Sequence, residues 1–200
     1  PKVSWQVNPQ ATNMKTSDLC DASDEIQACS LALLNYGHRH AFAGTIQTVQ
    51  CFETVDLIVS ALNQPGHDQV LVIDGGGSIQ KALFGDRLAD IALKNGWCGL
   101  VIHGAIRDSR EINAMDIGVK ALGTAPRRGH KSRDGQTGIP VSFGGITFTP
   151  GCRLVADDDG VVVLPPHLKE TDIRIEDALS QTASYLHSAK GQASARHSTD

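Results

Sequence analysis

Arg107 and Asp108 stand side by side where an apolar run, Leu100-Val101-Ile102-His103, has just given way to Gly104-Ala105-Ile106. Twenty residues earlier the turn Gly85-Asp86-Arg87-Leu88 opens a stretch of helical periodicity. If the strands leading to these two points are neighbours, backbone N–H groups near Asp86 and Leu88 point into the same crevice as Arg107 and Asp108. Helix-start N–H groups and a guanidinium both favour a small carboxylate, which arginine grips bidentately. A lone aspartate opposes that anion unless it holds a hard divalent cation, since Mg²⁺ is commonly bound by one or two carboxylates with water in its other positions. A cation so held could take a 2-oxo acid by its keto oxygen. The plainer alternative is a surface ion pair beside a helix cap.

Other motifs carry less. Gly75 and Gly77 follow a strand-like run as in a dinucleotide fingerprint, but Gln80 stands where the third glycine belongs, and a tight turn explains the glycines as well. The signatures of P-loop NTPases, serine hydrolases and zincins do not occur. His38 and His40 read as surface histidines before a metal pair, and Asp157-Asp158-Asp159-Gly160 as a hairpin turn before a calcium loop. Arg127, Arg128, His130, Lys131 and Arg133 form a basic loop, read as a solvated face with no role in the chemistry above. Lys81, Lys94 and Lys120 keep open a rival chemistry, Schiff-base formation by a lysine amine with a keto carbonyl. Five cysteines without a C-x-x-C suit reduced thiols better than a disulfide frame or zinc knuckle.

These residues need a scaffold that brings strand ends together. The sequence predicts a helix from Ser17 toward Leu34, a half-wet strand over Phe42 to Val49, a short helix over Asp56 to Leu62 and a buried strand Val70 to Ile73. A helix follows from about Asp86 to Asn95-Gly96, then the strand Leu100 to His103, a short helix from about Asp108 to Met115 and a strand near Gly118 to Leu122. Two such strands joined by a helix imply a right-handed parallel unit. Ile146–Phe148, Arg153–Ala156 and Val161–Leu164 read as an antiparallel hairpin region, and Ile175, Ala178, Leu179 and Leu186 as an amphipathic helix. The expected class is α/β.

Composition sets the outer bounds. At 200 residues, 40% hydrophobic and 4% aromatic, the chain suits one folded domain built on small aliphatics. We expect a single domain over 1–187, including a C-terminal helix over about 167–187, then a flexible tail over 188–200. The net charge of −4 argues against nucleic acid as a direct partner, and no run is long and apolar enough for a membrane span, so a soluble, cytoplasmic protein is expected.

Taken together, Asp74-Gly-Gly-Gly-Ser78, Gly85-Asp86-Arg87-Leu88, Asn95-Gly96-Trp97-Cys98-Gly99, Gly104-Ala105-Ile106-Arg107-Asp108, Phe143-Gly144-Gly145 and Ala156-Asp157-Asp158-Asp159-Gly160-Val161-Val162-Val163 resemble one family. It is that of regulator of ribonuclease E activity A and the class II 4-hydroxy-4-methyl-2-oxoglutarate aldolases. The aldolases carry an acidic residue, twenty positions, then Arg-Asp, a pattern matched by Asp86, Arg107 and Asp108. The resemblance implies a three-layer β/β/α sandwich of swivelling-domain type with parallel and antiparallel strands, assembled as a homotrimer or hexamer with sites near subunit interfaces. It implies that Gly85, Asp86, Arg87 and Leu88 contact substrate through backbone groups, that Arg107 binds the pyruvoyl part, and that Asp108 anchors Mg²⁺ or Mn²⁺. The expected reaction is cleavage of a 4-hydroxy-2-oxo acid to pyruvate, with decarboxylation of oxaloacetate on the side and Asp86 orienting a proton-carrying water. The alternative is a non-catalytic inhibitor of a ribonuclease E-type enzyme. Arg87 is bulky for a substrate turn, and the segment after Pro165 extends beyond shorter members of the family.

Overall fold

A computed structural model describes residues 15–168. The helix expected over about 167–187, apart from residues 167 and 168, and the tail from 188 fall outside the described residues. In chain order the elements are α1 (Thr16–Ala22), β1 (Gln27–Ala28), β2 (Leu34–Tyr36), β3 (Phe42–Gln50), α2 (Asp56–Leu62), β4 (Gln69–Asp74), β5 (Ala82–Phe84), α3 (Asp86–Lys94) and β6 (Gly99–Ile106). They continue with α4 (Ser109–Asn113), β7 (Val119–Thr124), β8 (Gln136–Thr137), β9 (Val141–Phe143), β10 (Ile146–Phe148), β11 (Arg153–Ala156) and β12 (Val161–Leu164).

The main sheet is mixed, in the order β1-β12-β11-β3-β4-β6-β7-β2, and the expected α/β class holds. β3, β4, β6 and β7 run parallel, joined in turn through α2, α3 and α4. Their order never reverses, so right-handed crossovers place every connecting helix on one face. That face carries Ile58 and Leu62 of α2, Ala89 and Ala92 of α3 and Ile112 of α4, packed on Leu71, Ile73, Leu100 and Ile102. The alternate residues Val70, Val72 and Val101 face the other way, against Val141, Phe143, Ile146 and Phe148 of the β9–β10 hairpin.

Two expectations need correction. The helix read from Ser17 toward Leu34 ends at Ala22, and the rest of that stretch supplies β1 and β2. Gln27 and Ala28 pair with Val163 and Val162 at one edge of the sheet, and Leu34 to Tyr36 pair with β7 at the other. Sheet edges in need of partners outweigh the local helical preference. Ile146–Phe148 does not pair with Arg153–Ala156; it folds back on β9 through Gly144 and Gly145, both at positive φ, while β11 pairs with β3 and β12. The alternation of β9, short and with one exposed residue, was too brief to read.

The sheet is curled. Seven strand gaps of about 4.8 Å would put β1 and β2 about 34 Å apart if it were flat, whereas the six steps from Ala28 to Leu34 span at most about 21 Å. Leu31 and Leu33, on this connection, pack into the core of the hairpin face.

The hairpin between β11 and β12 turns at Asp157–Gly160, with the Asp157 N–H on the Gly160 carbonyl at 3.1 Å. The Asp157 carboxylate also reaches α1, whose flanking Lys15 offers no side-chain cap, and accepts the N–H and hydroxyl of Thr16 at 2.7 and 2.6 Å. Partial burial raises the pKa of this carboxyl, but the Thr16 bonds and the N–H groups of Asp159 and Gly160 outweigh it and hold the group below its ordinary value of 3.8. With its pKa depressed by folding, Asp157 contributes stability that is full above the ordinary value and fades as pH falls through the folded one. Urea midpoints between pH 7 and pH 3 should therefore fall less steeply in Asp157→Asn than in the wild type, from a lower starting stability at pH 7.

Candidate functional site

β6 is longer than β4, and the site grows out of that mismatch. β4 pairs with β6 only as far as Asp74 opposite His103. Gly75, Gly76 and Gly77 then swing the chain out, with the N–H groups of Gly75 and Gly77 both donating to the His103 carbonyl at 3.1 Å. A side chain at Gly75 would lie 2.9 Å from that carbonyl oxygen, and Gly76 and Gly77 have φ of +65° and +74°, so the turn needs glycine on steric grounds. These amides serve the turn, which settles the glycine run as a change of direction and leaves no phosphate cradle there. β5 then re-enters beside β6, pairing Ala82 with Ala105 and Phe84 with Ile106.

This return sets Gly85, at the top of β5, beside Arg107, just past the top of β6, with the Arg107 N–H on the Phe84 carbonyl at 2.9 Å. A side chain at Gly85 would lie 2.7 Å from Asp108 Oδ2 and 3.2 Å from Arg107 Cγ. Only a residue without Cβ lets the three meet undisturbed. Asp108 has φ +55°, uncommon outside glycine, and does not cap its own helix α4. Its carboxylate turns instead toward α3, with Oδ2 3.4 Å from the Asp86 N–H and 3.3 Å from Arg107 Nε. Arg107 and Asp108 are about one-third exposed and, with Thr124, Ala125 and Pro126, line a cleft of about 300 Å³.

The predicted residues thus meet, with one correction. The N–H groups at the start of α3 are not waiting free. Asp86 N–H faces Asp108, Arg87 N–H donates to Asp86 Oδ1 at 2.7 Å, and Leu88 N–H donates to the Gly85 carbonyl at 3.0 Å. The Asp108 carboxylate sits where the helix start favours an anion. Arg87 is exposed and Leu88 half-buried.

A hard cation fits this donor set. Among the described residues no group of three or more His, Cys, Asp or Glu side chains converges, so a cation here would rest on Asp108, with water and substrate completing its shell, as suits Mg²⁺.

The lysines lie elsewhere. Lys94 ends α3, about 13 Å from Gly85 along the helix axis. Lys120 is buried at the start of β7, the opposite end of the sheet from the cleft, and donates to the Asp157 carbonyl. Burial lowers its pKa against the pull of Asp157, Asp158 and Asp159. Lys81 is held by Glu53 at 3.0 Å and by His130. The five cysteines are free thiols, with burial pushing Cys51 up to about 11. His40 bonds Asp158 at 2.9 Å on an exposed surface. No helix among the described residues is long and apolar enough to cross a membrane.

Comparison with known proteins identifies the family. A family model described as RraA-like, Aldolase/RraA, matches residues 16–163. A Geobacillus kaustophilus structure named S-adenosylmethionine: 2-dimethylmenaquinone methyltransferase is 48% identical with a TM-score of 0.75, covering 78% of this chain and 97% of that one. The RNA-processing inhibitor RraA from Thermus thermophilus is 38% identical with a TM-score of 0.76, over 78% of this chain and 96% of its own. Streptomyces coelicolor RraAS2, described as an unusual member of the RNase ES inhibitor RraA family, is 23% identical with a TM-score of 0.64 and covers 94% of both chains, a likeness of fold. By the span of the family match and by these identities, the chain belongs to the RraA-like family.

Proposed function

We propose that the chain is a divalent-cation-dependent lyase that cleaves 4-hydroxy-4-methyl-2-oxoglutarate, or a related 4-hydroxy-2-oxo acid, to pyruvate and decarboxylates oxaloacetate at the same site. The observation that carries the reading is the meeting of Arg107 and Asp108 over Gly85 and Asp86, four residues from two strand ends brought within about 3.4 Å of one another.

Each group has a task. Arg107 binds the pyruvoyl end and faces the oxygen on which negative charge grows as the C3–C4 bond breaks, so its attraction is strongest in the transition state. Asp108 would hold Mg²⁺ or Mn²⁺, which when bound supplies a Lewis acid that draws electrons toward the keto oxygen. Asp86, one oxygen engaged by the Arg87 N–H, orients a water that takes the proton of the C4 hydroxyl as the bond opens and returns a proton to C3 of the pyruvate formed. Gly85 to Leu88 supply the backbone wall against which the substrate lies, and Gly85 keeps that wall open. The reading brings with it an assembly of three or six copies. Phe52 and Ile79, 64% and 56% exposed near the same end of the sheet, are suited to such contacts.

A second reading has its own support, because the 38% identical Thermus protein is named an RNA-processing inhibitor. This chain would then bind a ribonuclease E-type enzyme without chemistry of its own.

Pyruvate release measured with Mg²⁺ separates the two. Arg107→Ala and Asp108→Ala should each lower turnover by at least ~100-fold with little change in melting temperature. Wild-type turnover in either variant removes the site assignment. Chelator should abolish activity and Mg²⁺ or Mn²⁺ restore it, whereas inactivation by borohydride in the presence of pyruvate would point to a lysine. No pyruvate release from either 2-oxo acid, together with capture of a ribonuclease scaffold segment, would favour the second reading. Gly85→Ala should fold yet turn over at least ~10-fold more slowly, since the added methyl displaces Asp108 and Arg107 from productive positions.

A further inference from the structure

The exit of β6 has a wall on each side. Gly85 and Asp86 stand on the side of β5 and α3, and Thr124, Ala125 and Pro126 stand on the other, where β7 ends. The second wall is as firmly set as the first. Thr124 pairs with Ile106 in the β6–β7 ladder, and the Ala125 N–H donates to the Ile106 carbonyl at 2.8 Å, while the Arg107 N–H is held by Phe84 on the β5 side. Of the five residues that line the cleft, Ala125 and Pro126 bring no polar side-chain atom, and Arg107 and Asp108 are turned to each other at 3.3 Å. Thr124 brings the remaining polar side chain. It is exposed, and its hydroxyl has no hydrogen-bond partner among the described residues.

A hydroxyl at that place is held more firmly than its exposure suggests. The branched side chain of threonine has few χ1 choices, and the backbone that carries it lies one strand spacing, about 4.8 Å, from Ile106, the residue before Arg107. In a 2-oxo acid gripped by Arg107 at its carboxylate, C4 lies three bonds, about 4 Å, further along. Oxygen atoms on C4 then stand at the distance of the neighbouring strand end, where a threonine hydroxyl can donate to them.

We propose that Thr124 is a specificity residue that donates its hydroxyl hydrogen to the C4 oxygen of a 4-hydroxy-2-oxo acid and so favours carbon–carbon cleavage over decarboxylation at the one site. This rests on the lyase reading for the near end of the ligand. In the cleavage the C4 hydroxyl gives its proton to the water oriented by Asp86, and negative charge grows on the C4 oxygen. The electrons of that oxygen close a carbonyl, the C3–C4 pair becomes the C2–C3 double bond of the pyruvate enolate, and the water returns a proton to C3. A hydrogen bond from the side opposite Asp86 strengthens as the charge grows, which lowers the barrier. Oxaloacetate presents a carboxylate on C3 in place of the alcohol carbon. Its C3–C4 pair passes to the same enolate, which takes up a proton at C3, while the carboxylate leaves as neutral carbon dioxide. A bond from Thr124 to that carboxylate weakens on the way to the transition state and gives no acceleration.

The test measures kcat/KM for pyruvate release from 4-hydroxy-4-methyl-2-oxoglutarate and from oxaloacetate, with the full chain in Mg²⁺ and each rate taken above that without protein. Thr124→Val keeps the side-chain shape and suits a strand, and it removes the hydroxyl. It should lower the ratio of cleavage to decarboxylation by at least ~10-fold. Thr124→Ala should shift the ratio the same way, so that the result does not hinge on how valine packs. Thr124→Ser keeps the donor and should hold the ratio within ~3-fold of wild type. A ratio unchanged in Thr124→Val and Thr124→Ala, or an equal fall in Thr124→Ser, overturns the proposal. Wild-type turnover of both substrates with a ratio indifferent to Thr124 retains the lyase reading without this residue, whereas no pyruvate from either substrate removes the lyase reading and the proposal with it.

Discussion

β6 continues past the point where β4 leaves it, and the backbone groups of Ala105 and Ile106 still require partners. That one demand shapes the functional end of the molecule. The chain must leave the sheet after Asp74, turn where no side chain fits, and come back beside β6 as β5. Because it returns at that height, α3 begins level with the exit of β6. Without the short strand, Gly85 and Arg107 would have no reason to be neighbours.

The charges at this end balance one another. Arg107 and the start of α3 present positive character, and the Asp108 carboxylate answers both. A carboxylate already shared by a guanidinium and an amide is loosely held by each at 3.3 to 3.4 Å, longer than a good charge-assisted bond. On the proposed lyase reading it would turn to a cation while an incoming carboxylate takes over the positive partners. The positive φ of Asp108 serves this arrangement, since a helix-capping aspartate in the usual conformation would spend its oxygens on α4.

Much of this was legible in the sequence. The runs Val70 to Ile73 and Leu100 to His103 declared buried neighbouring strands, the Asn95-Gly96 stop bounded α3, and the carboxyl ends of the two strands put Asp86 and Arg107 at one crevice. Local pattern could not report what depends on distant partners. β1, β2 and β8 are two or three residues long and exist because an edge elsewhere needs them. β5 reads as the end of a loop until β6 is known to outlast β4. The state of the α3 amides was equally hidden, since Asp108 reaches Asp86 only through the third dimension.

The curl of the sheet bears on the order of events during synthesis. Residues 27–36 close both margins of the sheet, yet their partners are Val119 to Ala121 and Val162 to Val163, made more than eighty and more than a hundred residues later. A nascent chain can complete the successive parallel units from local material, but its early strands must stay uncommitted until the end of the domain has left the ribosome. Among the described strands, the first to be made are thus the last to find their place.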